Sequence, residues 1–212
     1  ELKTPLTSIS GYAEIMRNGV AKPEDINRFS GIIYDETQRL ITLVGDIINL
    51  SKLDEKEVIH EKKMVNLYEI SQNVISRLNA VAAKKRVTFK IEGNKETVYG
   101  VVSIIDEIIY NLCDNAIKYN KEDGLVIINI QKVDGITEYT VTDTGIGIAE
   151  NDLDRVFERF YRADKSHSRK IGGTGLGLSI VKHGVSYHGG EVSIKSELGS
   201  GTSIKIRFTN KI

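Results

Sequence analysis

Apolar residues recur through the first eighteen positions at steps of four and three: Leu2, Leu6, Ile9, Ala13 and Met16. So narrow a seam belongs to a helix of a coiled coil or bundle, because the apolar face of a strand would repeat every second residue. Asn18-Gly19 breaks the pattern. Pro23-Glu24-Asp25 restarts it, with proline tolerated in a first turn and carboxylates placed near the positive end of the helix. Ile26, Phe29, Ile33, Leu40, Leu43, Ile47 and Leu50 continue the seam, with Glu36 as the exception, and predict a second helix running to about Leu53. The short connection makes the pair an antiparallel hairpin. Ile32, Val44 and Ile48 widen the second apolar face beyond what one partner helix covers. A dimer forming a four-helix bundle would cover it, and so would packing on the rest of the chain.

The period changes after LDEKEVIHEKK, a charged and aperiodic stretch at 53–63. Residues 66–84 read as an amphipathic helix, VTFKIEG and ETVYG as strands, and SIIDEIIYNLCDNAIKYN as a long helix. LVIINIQKV and TEYTVTD alternate around Asp134-Gly135 as a β-hairpin. A second long helix covers 175–188, and EVSIKS with GTSIKIRF forms a closing hairpin. Strands that arrive mostly as hairpins predict a mixed, mostly antiparallel sheet with helices on one face. The fold class expected is therefore α+β: a helical hairpin over 1–54, a linker over 55–61, and an α/β sandwich over 62–212.

Lys and Arg number 29, as do Asp and Glu, so there is no basic surplus for a nucleic-acid footprint. The single Cys113 excludes an intrachain disulfide and a cysteine-cluster metal site, and it fits a reducing compartment. No apolar run reaches the roughly 18 residues of a membrane span, and none reads as a signal peptide.

Chemistry concentrates in three places. Asn111, Asn115 and Lys118 are spaced i, i+4, i+7 and share one face of an otherwise apolar helix. Carboxamide oxygens suit Mg²⁺ shared with phosphates, and an ammonium one turn on suits a phosphate; a solvated polar face fits the same spacing. Asp143 ends a strand and is followed by Gly145 and Gly147. A carboxylate accepts only, so it suits an amino donor such as that of adenine, though Asp-x-Gly is also a common turn. Gly172, Gly173, Gly175 and Gly177 stand at a helix start, where backbone N–H groups can meet a phosphate. This is neither a P-loop, since no Gly-Lys-Ser/Thr follows, nor a Rossmann fingerprint, since DKSHSRKI before it is no buried strand. RADKSHSRKIGG (162–173) reads as a mobile lid over a bound nucleotide.

Taken in order, these pieces resemble the ATP-binding domain of sensor histidine kinases, of the wider fold shared with gyrase, the ninety-kilodalton heat-shock chaperone and MutL. NLCDNAIKY is similar to the N box, DTGIGI to the first glycine box, VFERFYR to the F box, GGTGLGLSIV to the second glycine box and GSGT to the last. ELKTPLTSISGYAE resembles the dimerisation and phosphoacceptor helix, whose motif reads His-Glu-x-x-Thr-Pro, so the acceptor histidine is expected just before Glu1. At about 100° per residue that position points opposite the Leu2–Met16 seam, with Thr4 one turn further along the same outward face. Pro5 removes a helical hydrogen bond, and a kink there would let the helix change shape beside the reactive position; a passive kink is equally compatible.

The resemblance implies the following roles. Asn115 would hold Mg²⁺, with Asn111 beside it on the phosphates. Lys118 and Arg162 would meet phosphate oxygens, and Tyr119 and Tyr161 would line the nucleotide. Asp143 would bind the adenine amine in a pocket shaped by Gly145 and Gly147. Thr174, Gly175, Leu176, Gly177 and Leu178 would close over the phosphates. Glu1 would assist transfer to the histidine, Thr4 would position water for dephosphorylation of a regulator, and Phe157 and Phe160 would anchor the lid or serve as core. His60, His167, His183 and His188 lie outside the motif and are read as surface or packing residues. The implied cofactors are ATP and Mg²⁺. The implied partners are a response-regulator receiver domain and a second copy of the chain, with no nucleic acid. The implied location is cytoplasmic, in a bacterial sensor anchored to the membrane by other segments. An ATP-binding signalling module or an ATP-gated conformational switch without kinase activity fits the same motifs.

Overall fold

The computed structural model describes residues 2–54, 61–163 and 173–209. Two helices come first, α1 (Lys3–Arg17) and α2 (Pro23–Asp54), packed as an antiparallel hairpin. Asn18 and Gly19 close α1 through backbone bonds to Glu14 and Met16, and Gly19 takes a φ of 69°. The face α1 turns to α2 is set by buried Pro5, half-buried Ile9 and Met16, and by Tyr12, whose ring lies 5.0 Å from that of Phe29. Leu2 and Leu6 are not on it: they stand 41% and 51% exposed. The predicted seam is thus displaced, because Pro5 and Tyr12 bury apolar surface that a count of aliphatic residues misses.

Length matters next. The 15 residues of α1 span about 22 Å and the 32 of α2 about 48 Å, so α1 faces only the first half of its partner. The seam of the second half is covered by the α/β part: Leu43, Leu50 and, more exposed, Ile47 pack with Leu176 and Ile180. Ile41, Val44 and Ile48 stay exposed on another side of α2.

The remainder orders as β1 (Lys63–Asn66), α3 (Leu67–Lys84), β2 (Thr88–Gly93), β3 (Thr97–Gly100), α4 (Val102–Lys118), β4 (Leu125–Val133), β5 (Ile136–Asp143), a 3₁₀ turn (Glu150–Asp152), α5 (Gly177–Tyr187), β6 (Glu191–Glu197) and β7 (Gly201–Phe208). Five strands form a sheet in the order β2-β4-β5-β7-β6, antiparallel except for the β2–β4 pair. β1 and β3 make a separate antiparallel pair. β1 falls partly in the stretch read as a linker from sequence: its four residues, KMVN, are too few to show a period, and their partner lies some thirty positions on.

Helices α3, α4 and α5 pack together over one face of the sheet. Asn66 starts α3, accepting from the backbone N–H groups of Tyr68 and Glu69 while donating to the Glu69 carboxylate at 2.9 Å. α4 is the central helix, burying Ile105, Ile108, Ile109, Leu112, Ala116 and Ile117 against the sheet and its neighbours. Its two ends are held by side chains from elsewhere. At the start, His188 Nε2 accepts from the Val101 N–H at 3.0 Å, which leaves Nδ1 to carry the proton and donate to the Gly184 carbonyl. At the finish, the Lys85 ammonium donates to the carbonyls of Lys118 and Ile117 at 2.7 and 3.2 Å.

Candidate active site

Three segments meet at the C-terminal half of α4. The first is α4 itself. Its sheet-facing stripe leaves Asn111, Asn115 and Lys118 half-buried on the opposite side. Asn111 donates from Nδ2 to the Glu107 carbonyl at 2.9 Å, which aims its oxygen at α5. A Cβ on Gly177 would come within 2.9 Å of that oxygen and 3.5 Å of Asn115 Nδ2, so glycine is what lets the start of α5 approach the asparagine pair. Lys118 reaches back one turn to Asp114 at 2.6 Å.

The second segment is the turn after β5. Asp143 Oδ1 accepts from the backbone N–H groups of Gly145 at 2.8 Å and Thr202 at 3.3 Å. Both bonds land on one oxygen and leave Oδ2 open among the described residues. Burial raises this carboxyl above the usual Asp value, while the two backbone bonds pull it back. The turn is pinned to α4 by the Ile146 N–H, which donates to the Tyr119 carbonyl at 3.0 Å. A Cβ on Gly145 would meet that same carbonyl at 2.3 Å. The Gly199–Thr202 turn passes so close that a Cβ on Gly201 would lie 2.0 Å from the Asp143 carbonyl.

The third segment, 173–178, joins the site to the hairpin. Thr174 donates from its hydroxyl to Asp46 Oδ2 of α2 at 2.6 Å. Gly175, at φ 74°, accepts from the N–H of Phe160, itself at φ 63° and 38% exposed. Arg162 donates to the Gly173 carbonyl at 3.0 Å, and Tyr161 to Asp152 at 2.5 Å beneath Arg155. Leu176 is fully buried against α2 and can face a ligand only through its backbone, whereas Leu178 is partly buried on the main core.

The sequence-predicted residues therefore gather from three separate segments, with exceptions. Thr4 stands exposed on α1. Glu1, His60, His167 and the lid positions 164–172 lie outside the described residues. His183, on α5, lies near Arg159, and His188, at the end of α5, packs on the start of α4. Asp46 and Asp114 were missed. The signal for Asp46 was present: it falls within the inner stripe of Leu43, Ile47 and Leu50, where a carboxylate is out of place.

The donor set fits a nucleotide. An open, half-buried carboxylate oxygen suits an amine, and a glycine-lined helix start beside two carboxamides and an ammonium suits phosphates. Among the described residues no three His, Cys, Asp or Glu side chains cluster as a metal cage; a carboxamide oxygen such as that of Asn115 is a hard donor of the kind that a cation shared with phosphates takes. Nor is any described helix long and apolar enough to cross a membrane.

Residues 100–212 match the family described as histidine kinase-, DNA gyrase B-, and HSP90-like ATPase, and residues 1–56 match the His Kinase A (phospho-acceptor) domain. The chain is similar, at 36% identity over its whole length, to the sensor histidine kinase WalK of Bacillus subtilis, of which it spans 35%. Its fold resembles that of the Acinetobacter baumannii histidine kinase AdeS, with a TM-score of 0.81 at 22% identity, covering 100% of this chain and 98% of the other. A second structural neighbour is the histidine kinase ThkA, solved in complex with the response regulator TrrA, with a TM-score of 0.73 at 23% identity, covering 100% of this chain and 59% of that one.

Proposed function

The chain belongs to the histidine kinase-, DNA gyrase B- and HSP90-like ATPase family and, with its phospho-acceptor hairpin, to the sensor histidine kinases; on that premise we propose that it is the Mg-ATP-binding catalytic core, over 62–212, joined through 55–61 to a dimerising phosphotransfer hairpin over 1–54. The reaction is transfer of the terminal phosphoryl of ATP to a histidine just before Glu1, then to an aspartate of a response regulator. Dephosphorylation of that regulator would use Thr4. The whole protein would be a bacterial sensor anchored to the membrane, with this part in the cytoplasm.

The observation that carries the reading is the convergence of Asp143, the Asn111–Asn115 pair and the start of α5 on one side of α4. Asp143 Oδ2 would accept from the adenine amine. Asn111 and the N–H groups at the start of α5 would orient the phosphates, and Lys118 would offset their charge. Mg²⁺, held by Asn115, would neutralise phosphate charge when bound. Turnover needs little covalent chemistry from the protein, because positioning and electrostatics supply most of the rate in phosphoryl transfer.

The test is a chain extended upstream, incubated with labelled ATP and Mg²⁺. Acid-labile phosphate on a histidine before Glu1 is expected. Asp143→Asn, which puts an amide donor where an acceptor is needed, should weaken ATP binding by about tenfold or more. Unchanged affinity would sink the pocket assignment, and a residue other than histidine at that position would sink the kinase reading.

A further inference from the structure

One acidic side chain of the hairpin reaches the phosphate end of the candidate site. Asp46 Oδ2 accepts the Thr174 hydroxyl at 2.6 Å. The same carboxylate feels the positive charge of Lys118 and the negative charge of Asp114, the residue paired with Lys118. Leu43, Ile47 and Leu50 bracket Asp46 along α2 and pack on Leu176 and Ile180, so the acid is delivered by a packed helix and not by a swinging loop. Burial raises its carboxyl above the usual Asp value, and the Thr174 bond and Lys118 oppose that rise.

We propose that Asp46 is a specificity-determining residue of the nucleotide site: with α2 packed on α5, its charge disfavours a nucleoside triphosphate relative to a diphosphate. The inference rests on the nucleotide reading above. If the base sits at Asp143, beside Tyr119 at the end of α4, the phosphates run back along α4, past Lys118, toward the Asn111–Asn115 pair and the segment that holds Thr174 and Gly177. Thr174, by its bond to α2, marks the end of the site that touches the hairpin, and a terminal phosphate is assigned to that end. A carboxylate and a terminal phosphate are both anionic acceptors. They compete for the Thr174 hydroxyl and repel each other. A diphosphate ends short of the contested place. By linkage, a triphosphate must loosen the α2–α5 contact by the factor by which that contact weakens the triphosphate.

Calorimetric titration of this chain in Mg²⁺, with ADP and with a non-hydrolysable ATP analogue, tests it. Asp46→Asn is nearly isosteric and keeps an acceptor oxygen for Thr174. It should tighten the analogue by about fivefold or more and leave ADP within about twofold. Asp46→Ser should move the ratio the same way. Equal changes for both nucleotides, or none, overturn the proposal. So does a shift in Asp46→Ser without one in Asp46→Asn, which would mean bulk and not charge. Failure of the wild type to bind either nucleotide overturns the nucleotide reading and this inference with it, whereas binding with an unchanged ratio overturns this inference alone.

Discussion

Two titrating side chains do opposite things with burial. The Asp143 carboxyl is raised above 3.8, chiefly by desolvation, yet its proposed ligand needs the ionised acceptor. Nucleotide affinity should therefore be full above the raised value and fall as pH drops through it, beginning at higher pH than an exposed Asp would allow. Titrations across mildly acid pH check this, and Asp143→Asn should lack that limb. The same shift means the folded protein holds the proton more tightly than the unfolded chain, so keeping the group ionised costs stability above its folded value. The neutral carboxamide should then weaken binding with no fall in Tm. His188 is lowered below 6.5, first by burial and next by nearby Lys62, against the pull of the Gly184 carbonyl. Its Nε2 must stay unprotonated to accept from Val101. Its contribution is present above 6.5 and lost as pH falls below that value, where the unfolded chain takes up the proton more readily. Urea melts from pH 7.5 to 5.5 should show stability declining with acid, with a shallower slope in His188→Gln.

At the scale of elements, α4 is the part on which the site depends, and Lys85 fixes its end. Lys85→Met removes two charge-assisted bonds to helix carbonyls and should cost about 1–3 kcal/mol in chemical denaturation, with Lys85→Arg recovering part of it. Nucleotide affinity should weaken as well, because the Tyr119 carbonyl, next after the two that Lys85 holds, anchors the Asp143 turn through Ile146. Much of this was readable beforehand. The i, i+4, i+7 spacing placed Asn111, Asn115 and Lys118 on one face, and alternation located β4 and β5 to within a residue. What escaped depends on distant partners. β1 exists because β3 pairs with it, and the buried face of α1 is chosen by Phe29 meeting Tyr12. Lys85 reads as one more surface lysine until α4 ends beside it. Asp46 was hidden by the habit of treating any charge on a long helix as solvated.

For the whole molecule, the exposed Ile41, Val44 and Ile48 on α2, with Leu2 and Leu6 on α1, leave an apolar surface that the single chain does not cover. A second copy would cover it, so sedimentation should report about twice the 23.6 kDa of the chain. Ile48→Glu should return the monomer mass without unfolding the α/β part, since Ile48 lies outside the buried clusters. A further long-range relation is the meeting of α2 with α5 and the segment before it, made among the described residues by a handful of aliphatic side chains and the Thr174–Asp46 bond. As an encounter between separate molecules it would be negligible. Here the partners are tethered: six residues separate Asp54 from Glu61. Linking two partners in one chain makes their meeting intramolecular and raises their effective concentration far above that of separate molecules. A ligand or partner that biases such a contact by about 1.4 kcal/mol changes its equilibrium constant tenfold.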